Sequence, residues 1–489
     1  MFAVLALFML SGRIIALAIT TAPSPNPINN PVQGDKYSTA KASTCTSAGC
    51  VLAAAELLNS MSPRHKEIDP CNDFHTYVCE GFEATHDIPA DRDSISTLNS
   101  LFDKASTTLR HILESPFPES ILGESDADAI DKDNFRMLQD AYQSCMNEDN
   151  LRTIGAEPLL DLIADVGRLY HSKHESVNSA SNGQQALFKD ENGLSKALAY
   201  LNSLETSALV DLGVGADDKH PDDQVVQVVP AFRIGLPAKE YYKDERILTA
   251  YHSTVEQVLQ GLLNATWTSG SPELSSRKGL KPELVDSLVK FETQLAAIVP
   301  ELEDLFDPEK AYNPMSLSSA DDLIPEISLR YIIESFRTDI DVENVIVASP
   351  TYLKALSQVL SDTSSEVVHL FLVWKTVQSF QGYVEADVMK PLSQLNNVLR
   401  GRAPDVKPER WRKCTAEMDS SLGWILSRFY VSRAFSPEAK DFGDKIIMDI
   451  KDSFVEKLRA STWMTPEVQE KGTLFYPRFI SFRRVSHTD

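Results

Sequence analysis

Positive charge is scarce in this sequence relative to negative. Its 489 residues carry 47 lysines and arginines against 70 aspartates and glutamates, a formal net charge of −23. A chain so short of basic residues argues against nucleic acid as a partner, because phosphate binding needs a basic surface. Acidic residues are in turn missing from residues 2–21, FAVLALFMLSGRIIALAITT, where Ala16-Leu17-Ala18 supplies a small-x-small cleavage pattern. The stretch reads as a secretory signal peptide over residues 1–22, atypical in that no basic residue precedes the apolar run. A signal anchor, and with it contact with a membrane, is the alternative: about 20 apolar residues suffice to span, but Arg13 near the middle would cost about 2.5–3.5 kcal/mol. Residues 23–44 are rich in Pro, Asn and Ser and lack a core's apolar content, so they form an extended linker. The expected destination is secreted or extracellular.

What is present is enough apolar residue, 43%, to bury a large core, and a length that suggests two or three structural units. Six cysteines allow fifteen full pairings, and export makes disulfides legitimate. Cys45 and Cys50 enclose a short Thr-Ser-Ala-Gly turn and can close a small loop. Cys145, in AYQSCMNED, and Cys414, in ERWRKCTAEMD, are the natural remaining pair, closing a loop worth up to roughly 5–6 kcal/mol in the chain-entropy model. Asp69 and Pro70 predict the start of a helix that runs to Cys79, with Gly81 as its stop. Cys71 and Cys79 would then lie roughly 12 Å apart, beyond the about 4.4–6.8 Å that a disulfide needs. Both are left unpaired within this chain.

The stretch from Cys45 to Phe82 holds a C-x4-C pair, an Ala-rich helix ending in a Met, then D-P-C-x-D-F-x-x-Y-x-C-x-G-F. Further motifs follow in order: Tyr142-Gln143-Ser144-Cys145, Gly155-Ala156-Glu157-Pro158, Gly235-Leu236-Pro237 with Tyr241-Tyr242, Trp411-Arg412-Lys413-Cys414 and Thr462-Trp463-Met464. In this order they resemble the ectodomain of the neprilysin and endothelin-converting-enzyme family of zinc metallopeptidases, whose start the Cys45–Phe82 stretch matches. The resemblance implies hydrolysis of short peptides in a cavity between two mainly helical lobes. It also implies a zinc ion on an H-E-x-x-H helix, with a further Glu as third ligand and the motif Glu as general base. In the family, the cysteines matching Cys71 and Cys79 bond to cysteines of the C-terminal catalytic part.

Helical spacing of apolar residues marks 94–115, 133–170, 239–299 and 350–399. Residues 171–193 are polar and rich in Gly, Ser and Asn, and read as a loop. The β-branched runs 208–215 and 224–229 predict a short sheet element. Val367, Phe371, Trp374 and Val377 form an apolar stripe at helical spacing, a core feature. The fold class is therefore mainly α, multi-helix lobes with a small β element. The expected division is disulfide-bearing helices over 45–115, a large helical lobe over 116–410, helices over 411–471 and a divergent tail over 472–489. Gly472 should end the last helix before the aromatic and basic run that contains Phe475, Tyr476, Phe479 and Arg478.

None of the ten histidines stands in H-E-x-x-H. The nearest approach, His174-Glu175-Ser176-Val177-Asn178, puts an amide where the second ligand belongs and lies in the polar loop, beside His171. No catalytic or metal-binding residue can be carried over, and the thermolysin-like catalytic segment of the family has no match in this sequence. The expectation is a chain without zinc of its own, truncated before the zinc motif and inactive alone. The alternative is a non-catalytic secreted form that binds peptides. The resemblance also implies an Arg after the Ile-Pro of Ile88-Pro89 that holds a peptide carboxylate. Arg92 is the candidate, although it sits about two positions early, and a turn pairing with Asp91 or Asp93 competes. Asn264-Ala265-Thr266 is the single glycosylation sequon and belongs on the surface.

Overall fold

Short polar side chains and prolines set most helix starts. Asp73, Ser96, Ser349 and Ser436 each accept a backbone N–H of the first turn, and Pro282, Pro350 and Pro437 stand in first turns where no N–H is missed. The computed structural model describes residues 48–119, 127–172, 193–269, 280–336 and 341–475. The signal peptide, the linker, Cys45, most of the 171–193 loop and the tail beyond Phe475 lie outside them. The described chain is mainly helical with one four-stranded sheet. It groups into two compact units, one from Met1–Met146 with Pro408–Asp489, the other from Asn147–Lys407.

In the first unit, α1 (Ala48–Ser60) precedes α2 (Phe74–Thr85). The expected helix from Pro70 to Cys79 is corrected here. Asp69 accepts the backbone N–H of Cys71 at 2.9 Å within a turn, and Asp73 caps the helix proper, so Cys71 precedes it and only Cys79 lies on it. Two caps four residues apart compete, and the second wins. Gly81 does not stop the helix. A Cβ there would meet Met61 O at 2.3 Å and Asn59 O at 2.4 Å, so its role is to let α2 approach the end of α1.

Helices α3 (Thr97–Leu113) and α4 (Ala127–Met146) follow in the first unit. The second unit then begins with α5 (Glu148–Ile154), α6 (Glu157–Tyr170) and α7 (Gly193–Ser203). The periodic run 133–170 is thus three helices, broken at the Asn147 cap and at Gly155, whose φ of 62° ends α5. The predicted β element is an antiparallel hairpin of β1 (Val210–Ala216) and β2 (Gln224–Pro230), in register Val210↔Pro230 to Ala216↔Gln224. After α8 (Glu245–Ser269) and α9 (Pro282–Ile298) come β3 (Pro314–Ser316), α10 (Leu317–Leu323), α11 (Leu329–Phe336) and β4 (Asn344–Val347). β4 runs parallel to β2 and antiparallel to β3, giving the order β1-β2-β4-β3.

Helices α12 (Pro350–Ser361), α13 (Ser365–Phe380) and α14 (Lys390–Leu399) complete this unit. The stripe on α13 is core: Val367, Phe371, Trp374 and Val377 are all buried, Trp374 fully.

The chain then returns to the first unit through α15 (Arg410–Ala434), α16 (Pro437–Ala460) and α17 (Pro466–Phe475). α15 packs on α3 and α4 around Ile112, Leu113, Phe135, Leu138, Tyr142, Met418, Leu426 and Phe429, with the Phe135 and Phe429 rings 4.9 Å apart. A disulfide between Cys145 and Cys414 crosses this contact, its Cα atoms 5.7 Å apart. The boundaries of the two units fall after Met146 and before Pro408. The disulfide, the pair expected from the sequence, and the aromatic cluster hold α4 to α15. Gly472 does not end α17 either, because a Cβ there would meet Leu458 of α16 at an ordinary 3.4 Å and the helix runs on to Phe475.

Candidate functional site

Arg92 follows the Ile88-Pro89 turn with its side chain mostly buried, and it donates to Asp103 Oδ1 of α3 at 2.5 Å. Arg412 of α15 donates to the same oxygen at 2.8 Å and also pairs with Glu409. The guanidinium groups of Arg412 and Arg110 lie 4.5 and 4.9 Å from the centre of the Trp411 ring. The hydrogen bond from Arg92 holds the Asp103 carboxyl below the usual carboxylate range. The hydrogen-bond partner of Arg92 is thus a carboxylate of the fold eleven positions on, while the charge of Asp91 also acts on it. The contact uses one guanidinium nitrogen, Nη2.

Among the described residues, Cys71 is free and exposed and Cys79 is free and half-buried. Cys50 is disulfide-bonded, while its expected partner Cys45 lies outside the described residues. Asn264 is exposed on α8, where Gln260 donates to it at 3.1 Å. His171 follows α6 with its ring 4.6 Å from that of His369. His174 lies outside the described residues.

The most developed polar arrangement is in the second unit, and it surrounds the sequence Arg233-Ile-Gly-Leu-Pro237. Lys375 of α13 donates to the carbonyls of Arg233 at 2.7 Å and Ile234 at 2.8 Å, and Gln378 donates to that of Gly235 at 2.9 Å. The backbone N–H of Leu236 donates to the Tyr242 hydroxyl, which in turn donates to Glu292 Oε2 of α9 at 3.3 Å. Trp374 donates to the Tyr251 hydroxyl at 2.6 Å. A Cβ on Gly235 would fall 2.2 Å from that hydroxyl and 2.5 Å from Glu292 Oε1, so only glycine fits.

Burial pushes the Glu292 carboxyl up to about 7 and the Lys375 ammonium down to about 8. It pushes the Tyr242 and Tyr251 hydroxyls well up. The motif Gly235-Leu236-Pro237 with Tyr241-Tyr242 is thus a segment clasped by a largely buried polar network. Sequence reading missed Glu292 and Lys375, although each is a charged residue on an otherwise apolar helix face. That placement is the signal that could have found them.

Zinc is the metal that the resemblance implies, and the residues present do not fit it. No H-E-x-x-H occurs in the sequence. Among the described residues no group of three or more His, Cys, Asp and Glu is placed to hold a metal ion. Among them, too, no helix is long and apolar enough to cross a membrane.

Comparison with known proteins gives the fold its relatives. The sequence profile of peptidase family M13, N-terminal region, matches residues 70–473. The chain is 25% identical over 463 residues to human endothelin-converting enzyme 1, covering 91% of this chain and 55% of that protein. It is 26% identical over 441 residues to an endothelin-converting enzyme homolog of Locusta migratoria, covering 87% and 55%. Among solved structures it is similar to the zinc metalloprotease Zmp1 of Mycobacterium tuberculosis in complex with an inhibitor, at a TM-score of 0.63 and 19% identity over 86% of this chain and 57% of that one. PepO of Lactobacillus rhamnosis HN001 gives 0.58 at 17% identity, over 81% and 57%. The chain spans little more than half the length of these relatives. Its ordered motifs, its mainly helical fold with a small sheet and the profile match over 404 residues together place it in peptidase family M13.

Proposed function

We propose that this chain serves the proteolysis of short peptides as the non-catalytic, N-terminal helical region of a neprilysin-type zinc metalloendopeptidase, and that it does not cleave peptides unaided. The observation that carries this reading is a family match over residues 70–473 in a sequence whose ten histidines include no H-E-x-x-H. The groups this chain does contribute are structural. The Arg92–Asp103–Arg412 arrangement and the Cys145–Cys414 bridge fix α3, α4 and α15 to one another, and the Glu292–Lys375 network fixes the segment Arg233–Pro237 before Tyr242. The zinc, the general base and the peptide-cleaving step belong to residues outside this sequence.

An extracytoplasmic location is part of the proposal. A disulfide across α4 and α15 and an exposed sequon asparagine at position 264 support it, since both suit an oxidising, glycosylating route. The test is turnover of an internally quenched short peptide by the purified full chain, with and without a zinc chelator. The expected result is no turnover above the buffer rate in either condition. Chelator-sensitive cleavage that co-purifies with the chain would overturn the reading.

A further inference from the structure

Two histidines from different elements of the second unit meet where α6 ends against α13. His171 closes α6, its backbone N–H donating to the Gly167 carbonyl at 3.0 Å, and the residue is exposed. His369 stands half-buried on α13. The two imidazole rings lie 4.6 Å apart, centre to centre, with their planes at 67°.

The surroundings fix one ring and leave the other free to turn. Tyr170 donates its hydroxyl to the Ser365 carbonyl at 3.0 Å, which ties the end of α6 to the start of α13. Its ring stacks on that of His369 at 5.2 Å and 23°. A Cβ at Gly167 would fall 3.3 Å from His369 Nε2, so the imidazole rests against the backbone of α6. His171, outside this packing, reorients about its own side-chain bonds at little cost.

Imidazole nitrogen is a ligand for late first-row divalent metals, and Cu²⁺ binds most strongly in that series. Two imidazoles that share one ion at about 2.0–2.1 Å, with bond angles of about 90–110°, have ring centres roughly 4.5–5.2 Å apart. The observed separation lies inside that range. The exposure of His171 opens the pair to ions from solvent, and the net charge of −23 draws cations toward the chain. Among the described residues no third ligand joins the pair. Two protein ligands are fewer than zinc sites use to retain their ion, so an ion held here exchanges with solvent.

We propose that His171 and His369 form a two-imidazole site for a divalent late transition metal, Cu²⁺ foremost, that clips the end of α6 to α13. The rival reading is ring packing alone, with no affinity for metal. Because the ion binds the assembled junction more tightly than the unfolded chain, it also stabilises the second unit. The ligands must be deprotonated, so binding weakens in acid.

The experiment titrates the purified full chain with Cu²⁺ alone, following nitrogen hyperfine structure by electron paramagnetic resonance and the melting temperature by circular dichroism. The variants are His171→Ala, which alters only an exposed side chain, His369→Gln, and His174→Ala as the control. The parent is expected to bind one Cu²⁺ through two nitrogens, to melt higher with the ion than without it, and to lose the ion at pH 5. Affinity should fall at least about tenfold in His171→Ala and His369→Gln and stay unchanged in His174→Ala. No stoichiometric binding, binding that survives His171→Ala, or loss in His174→Ala while His369→Gln binds as the parent does would each overturn the proposal. Should His369→Gln fail to fold, the His171→Ala result and the two-nitrogen signature decide it.

Discussion

Glu292 sits fully buried on α9, and the nearest groups of opposite character are the hydroxyls of Tyr242 and Tyr251 and the ammonium of Lys375. Burial raises its carboxyl to about 7, so between about 4.5 and 7 the folded chain holds a proton that the unfolded chain releases. Stability contributed here therefore rises as the pH falls through 7 and is lost as it rises. Burial pushes the Lys375 ammonium down, and the Glu292 charge pushes it back up, so Lys375 shares in this titration. Glu292→Gln should flatten the pH dependence of the urea midpoint between pH 5 and 7, a difference of at most about 3 kcal/mol across the window. An unchanged slope would remove Glu292 from this role. At Arg92, Asp103→Ala leaves two guanidinium groups facing one another, and a loss of about 1 kcal/mol is expected in the same assay, since Asp103 is partly exposed. Neither partnership was legible in the sequence. The pairs Arg92–Asp103 and Tyr242–Glu292 join residues on different elements, and no local rule encodes them.

Elements were legible where local chemistry decides them. The α13 stripe, the β1–β2 hairpin and the helical character of 94–115 follow from periodicity and β-branched runs. Strands β3 and β4 did not. Each is only three or four residues, and each pairs across a long sequence gap, so its identity comes from the partner strand. Glycines misled for a related reason: Gly81 and Gly472 looked like helix stops, but both lie within helices that pass another chain segment. Gly235→Ala tests the close approach in the clasped segment. The added methyl overlaps the Tyr251 hydroxyl and the Glu292 carboxylate, and a destabilisation of about 1–3 kcal/mol is expected by thermal unfolding. For the bridge, Cys414→Ala should cost about 2–5 kcal/mol, with the first unit melting earlier than in the parent chain.

At the scale of the whole molecule, family membership was legible because motifs such as Gly235-Leu236-Pro237 and Trp411-Arg412-Lys413-Cys414 recur in a fixed order. The Cys414 of the second was already matched to Cys145 in the sequence; the other reasons emerged only with the fold, where the first is clasped by Lys375 and Gln378 and the second carries the cation-flanked Trp411. Export predicts that glycosidase treatment shifts the mobility of the secreted chain and that Asn264→Gln abolishes the shift. The central claim, that this chain is the helical region of an M13 peptidase and holds no catalytic centre of its own, is tested most directly by its zinc stoichiometry. Equilibrium dialysis of the purified full chain against zinc should give no tightly bound, stoichiometric ion. One zinc ion per chain that survives dialysis against metal-free buffer would contradict it.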